Sequence, residues 1–116
     1  MLSLPSAGGA TSSSSSGEIT GRDLHTGAVK RRFSPDLSTY WFHHRCYPAK
    51  ATDLYLLTSR TGIEFIDPQT ENWQIHHWVR GGCIYGIMPC NGLVYAPPQS
   101  CGCYLDSKLN GFNALA

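Results

Sequence analysis

The chain carries five cysteines. They are Cys46, Cys83, Cys90, Cys101 and Cys103, and two histidine pairs, His43-His44 and His76-His77, lie among them. Thiolates and imidazoles are the side chains that hold zinc and copper, and thiols also form disulfides. Cys101-Gly102-Cys103 puts two thiols on one face of an extended segment. A bond between these two would be strained, so each is expected to find a partner elsewhere. An odd count leaves at least one thiol free. His43, His44 and Cys46 precede one strand-like run, and His76, His77 and Cys83 follow another. Neighbouring side chains of a strand point to opposite faces, so at most one His of each pair faces a common site. The sequence has no His-Glu-x-x-His and no paired Cys-x-x-Cys. The candidate metal set is His43, His44, Cys46, Cys83, Cys101 and Cys103, with disulfides the expected state of the cysteines. Packing and backbone hydrogen bonding are the expected roles of the histidines.

The elements that must position these groups are short strands. Thr52–Trp78 reads as a meander: a strand over Asp53–Thr58, a turn at Ser59-Arg60-Thr61-Gly62, and a strand over Ile63–Ile66. A turn at Asp67-Pro68-Gln69-Thr70 follows, then a strand over Trp73–Val79. Gly62 offers positive φ, Pro68 suits the second turn position, and Asp67 accepts backbone hydrogen bonds. Upstream, Glu18–Phe33 reads as a hairpin turning at Asp23-Leu24-His25-Thr26-Gly27, so the Asp-x-x-Thr turn occurs twice. Downstream come a strand over Ile84–Met88, a turn at Pro89-Cys90-Asn91-Gly92 and a strand over Leu93–Ala96. Asn-Gly is a strong hairpin signal. Gly111–Leu115 repeats the pattern of Gly62–Ile66. Pro97–Lys108 is an insertion relative to the central meander, and no helical periodicity is visible. The units recur at about 40–45 residues, the period of a β-propeller blade.

Composition sets the outer limits. A chain of 116 residues is one domain at most. A net charge of +1 gives no electrostatic case for nucleic acid or an anionic membrane. No apolar run approaches the roughly 18 residues that span a bilayer. Residues 1–16 are small and serine-rich, without the basic and apolar regions of a signal peptide, and read as a disordered low-complexity leader. The expected fold is all-β. It is a partial β-propeller of antiparallel four-stranded blades over residues 17–116, a fragment of about two and a half blades where closure needs at least four. An exposed apolar edge is expected of such a piece.

The residues resemble one family. HHRCYPAKATDLYLLTSRTGIEFID, HHWVRGGCIYGIMPCNGLVYAPP and CGCYLDSKLNGFNALA look like the pyrroloquinoline-quinone-like (PQQ-like) β-propeller repeat proteins of exported bacterial type. The resemblance covers about Gly17 to Ala116. Asp23-x-x-Thr26-Gly27 is similar to the family's blade signature, and Asp67-x-x-Thr70 keeps its Asp and Thr while Glu71 replaces the Gly. Relatives usually carry a His before the Cys-x-Cys, where this chain has Gln99. The resemblance implies an exported scaffold or interaction module, periplasmic or at the cell surface. Its partners would be the other blades of a parent propeller or another protein.

The same resemblance leaves room for two other functions. One is a piece of a quinone- or metal-dependent oxidoreductase, with PQQ or zinc or copper in the parent protein. The other is a Cys/His metal-binding module. A quinone site would need Trp with cationic and carboxylate ligands from several blades. Arg45, Arg60 and Arg80 could clamp an anion or stack on Trp, or instead pair with buried carbonyls. No catalytic residue is assigned, for there is neither a nucleophile elbow nor a phosphate-binding glycine loop. Cys101 or Cys103 is expected beside Cys46 or Cys83, with Cα atoms within about 7 Å. Cys90 is expected to be the unpaired thiol.

Overall fold

The structure, a computed structural model, describes residues 11–12, 18–34, 36, 47–60 and 62–116. It is all-β, built of antiparallel sheets with one short 3-10 turn over Leu105–Ser107. The chain divides into two units, Met1–Thr39 and Tyr40–Ala116.

In the first unit, β1 (Thr11–Ser12), β2 (Ile19–Arg22) and β3 (Val29–Phe33) form one sheet in that order. Of the serine-rich leader, only β1 lies within the described residues, paired with Ile19 and Thr20. The β2–β3 turn is organised by Asp23. Its Oδ1 accepts the backbone N–H groups of His25 and Thr26 and the Thr26 hydroxyl. These bonds hold the Asp23 carboxyl below the ordinary carboxylate range, the Thr26 backbone N–H contributing most. Gly27 closes the turn at φ +72°, donating to the Asp23 carbonyl.

The second unit holds a four-stranded sheet in chain order: β4 (Lys50–Ala51), β5 (Leu56–Thr58), β6 (Ile63–Ile66) and β7 (Trp73–His76). The β6–β7 turn repeats the main bonds of the first. Asp67 accepts from the Gln69 and Thr70 N–H groups and the Thr70 hydroxyl, and Glu71 N–H donates to the Asp67 carbonyl. Glu71 occupies the position of Gly27 and adopts φ 63°. A three-stranded sheet of β8 (Met88–Cys90), β9 (Leu93–Ala96) and β10 (Asn113–Leu115) follows. Its β8–β9 turn is Asn91-Gly92, both at positive φ, as a tight hairpin requires. Leu57, Ile63, Val79, Ile87, Val94, Ala96 and Tyr47 form one buried cluster drawn from both sheets. Burial of side chains like Leu57 or Ile63 contributes roughly 1.5–3 kcal/mol each. The Tyr47 hydroxyl donates to the Gly62 carbonyl inside it.

Three strands differ from the sequence reading. The first begins at Leu56, not Asp53, because Thr52 Oγ1 takes the N–H groups of Leu54 and Tyr55 into a local turn. The third stops at His76, which already faces the first residue of β6, Ile63. Residues 77–79 have no facing strand residues left. Ile84–Met88 is a strand only at its last residue. Gly86 N–H donates to the Gly82 carbonyl and folds the segment into a turn, with Ile84 at φ 73°.

Two substitutions test the turn chemistry. Asp67→Ala removes three side-chain acceptances and should lower stability by about 1 kcal/mol, read as a lower urea midpoint. Glu71→Gly relieves a left-handed backbone and should raise stability by about 0.5–1 kcal/mol, net of the entropy glycine adds to the unfolded chain. A midpoint unmoved by either change would mean that these turns contribute nothing to the fold.

Candidate functional site

The site forms where the segment after β7 meets the long connection from β9 to β10. Arg80 is its anchor. A glycine pair follows it because the backbone is crowded there: a Cβ on Gly81 would stand 2.5 Å from the Gly86 carbonyl carbon. The turn so formed starts at Gly82-Cys83 and exposes Ile84 and Tyr85 at its tip.

Arg80 is 2% exposed. Its guanidinium donates to the carbonyls of Tyr104 (3.2 Å), Gly81 (3.4 Å) and Cys101 (3.3 Å), and to Gln99 Oε1 (3.3 Å). Gln99 returns a bond from Nε2 to the Arg80 carbonyl at 3.0 Å. Lys108 Nζ donates to the Cys101 carbonyl at 3.1 Å, and the Ser107 hydroxyl donates to the His77 carbonyl. The connection is thus bound to the end of β7 by side chains reaching backbone.

This clasp brings three thiols together. Cys83 Sγ lies 3.3 Å from Cys101 Sγ, and the sulfurs of Cys83, Cys101 and Cys103 all lie within 4.8 Å of one another. Cys83 and Cys101 are half-buried and Cys103 is exposed. Cys90 stands in β8, outside this group. The Cys101 thiol is drawn down to about 6. The largest cause is the Cys103 backbone N–H, followed by Arg80 and then the thiols of Cys83 and Cys103. Each of these stabilises the thiolate.

Of the residues singled out from the sequence, Cys83, Cys101 and Cys103 meet. His43, His44 and Cys46, like Arg45, lie outside the described residues. His76 and His77 are not in the sulfur cluster. The His76 ring packs edge-on against Phe65 at 5.1 Å, and His77 contributes its carbonyl to Ser107. Arg80 takes the carbonyl-pairing role rather than that of an anion clamp open to solvent. Gln99 holds Arg80 in place. Sequence reasoning missed Gln99, Ser107 and Lys108 as positioning residues. Their partners lie far away in sequence, and no spacing rule links them.

No protein-family model matches the chain, and neither a curated protein nor a solved structure matches it. No helix among the described residues is long and apolar enough to cross a membrane.

The lowered Cys101 thiol has a measurable consequence. In the reduced protein, alkylation of Cys101, followed by mass spectrometry, should rise with an inflection near pH 6. In denaturant the inflection should move to about 8.5, the ordinary thiol value. Because the folded value is the lower one, the thiolate's contribution to stability is fully present above about pH 8.5 and is lost as pH falls through about 6. Identical inflections in folded and unfolded protein would show that the Cys103 N–H and Arg80 do not act on this thiol.

Proposed function

We propose that this chain is part of an exported β-propeller scaffold of PQQ-like type, an interaction module whose sheets pack against further blades and present loops to a protein partner. The observation that carries the reading is the four-stranded antiparallel meander β4–β7 in chain order, the strand order of a propeller blade. Two features add support. The Asp-x-x-Thr turn recurs in both units, the Asp carboxylate in each accepting two backbone N–H groups and the Thr hydroxyl. The strands β8–β10 follow as a second antiparallel sheet sharing a core with the first. Propellers close with about four to eight blades. On this reading the remaining blades come from flanking sequence or from other chains. Export rests on the resemblance alone; five cysteines would suit it if they pair as disulfides, which persist mainly in oxidising compartments.

The test is the assembly state of the isolated chain. Blades without neighbours leave apolar faces and strand edges open. Sedimentation should therefore show self-association, relieved when the chain is produced inside a longer parent sequence. A monodisperse monomer with one cooperative melting transition would overturn the reading.

A further inference from the structure

The three sulfurs on the β9–β10 connection and the turn after β7 are not required by the scaffold, and their surroundings have an electrostatic peculiarity. Arg80 is a buried cation, and among the described residues no carboxylate is paired with it. Its hydrogen bonds go to carbonyls and an amide, which satisfy its donors but do not cancel its charge. Lys108 reaches the same Cys101 carbonyl, adding a second positive charge. A buried charge of this kind is costly unless an anion stands nearby. Both cations converge on Cys101, whose sulfur belongs to the three-sulfur group.

We propose that Cys83, Cys101 and Cys103 form a three-thiolate site for a soft d10 cation, Cu(I) or Zn(II). Sulfurs bound to such an ion at about 2.3 Å, in trigonal or tetrahedral array, stand about 3.8–4.0 Å apart. The cluster brackets that spacing, with one pair at 3.3 Å and all pairs within 4.8 Å. Thiolate donors select soft ions over magnesium, calcium or manganese. Three thiolates around a mono- or divalent ion retain net negative charge, which Arg80 and Lys108 offset. Binding releases the thiol protons to solvent and involves no change of oxidation state. The half-buried Cys83 and Cys101 set the floor of the site, and the exposed Cys103 lies at its mouth. The site does not depend on the propeller reading.

The test uses the full chain, reduced under anaerobic conditions and freed of metal. It is titrated separately with Cu(I), Zn(II) and, as an absorbing probe, Cd(II). The expected result is a single ion bound per chain, with a thiolate-to-metal charge-transfer band for Cd(II). Competition with chelators then tells which of Cu(I) and Zn(II) is held more tightly. Cys83→Ser, Cys101→Ser and Cys103→Ser should each weaken binding by more than about 100-fold, whereas Cys90→Ser should leave it unchanged. Lys108→Met should cost about 10-fold, the scale of an outer-shell change. Cys103 is exposed, so its variant tests the ligand without disturbing the core; circular dichroism of that variant checks this. Two results would overturn the proposal: no binding by the folded chain, or equal binding by the folded Cys103→Ser variant.

Discussion

The second unit depends on how one buried guanidinium is satisfied. Arg80 follows the end of β7, where the chain leaves the four-stranded sheet. Arginine keeps its charge at any relevant pH and offers a fixed fork of donors. Those donors find acceptors on Gly81, Gln99, Cys101 and Tyr104. The last three lie on the long β9–β10 connection. That segment has little secondary structure of its own, and a long loop of this kind needs side chains to hold it. Arg80, Gln99, Ser107 and Lys108 supply them. Cys101 and Cys103 reach Cys83 because the segment that carries them is fastened beside it.

The clasp works only because backbone can approach backbone at two places. Gly81 lies against Gly86, and Gly62 lies against the His76 and Val79 carbonyls, leaving no room for a Cβ at either. At Gly86 the φ of +70° adds a second reason for glycine, and Tyr47 packs over it. Tyr47 in turn bonds to the Gly62 carbonyl. The tyrosine therefore links both close approaches and carries the end of β7 and the Cys83 turn into one core.

The local code was readable from sequence wherever the hydrogen-bond partners are neighbours in the chain. The two Asp-x-x-Thr turns, the Asn91-Gly92 hairpin and the strands Ile63–Ile66 and Leu93–Ala96 are set by residues within a few positions of one another. The reading failed at Ile84–Met88 for the converse reason. A β-branched, apolar residue argues for a strand, yet Ile84 is turned to φ 73° by the bond between Gly82 and Gly86 and by the packing of Gly86 under Tyr47. Tertiary contact overrode propensity there. The thiol group was half legible. Cys101 and Cys103 share a face by simple alternation, but their meeting with Cys83 runs through Arg80 and Gln99. Nothing local marks that pair as partners.

Two buried polar side chains in this unit show what a polar core group can and cannot do. Glu64 is buried in β6, and its Oε2 accepts the Thr58 hydroxyl at 2.7 Å and the Arg60 N–H at 2.6 Å. It fixes the β5–β6 connection. Arg80 fixes the β9–β10 connection by the same principle with the opposite sign, donating where Glu64 accepts. The difference lies in what surrounds each. Glu64 takes bonds from a hydroxyl and a backbone amide within its own hairpin. Arg80 and Lys108 converge from separate segments on the backbone of a cysteine, and that cysteine's sulfur lies against another thiol. A loop needs only hydrogen bonds to be held in place. Arg80 also draws the Cys101 thiol toward the thiolate form, and thiolate is the form that binds soft metals. Holding the loop and favouring thiolate are therefore two consequences of the same buried arginine.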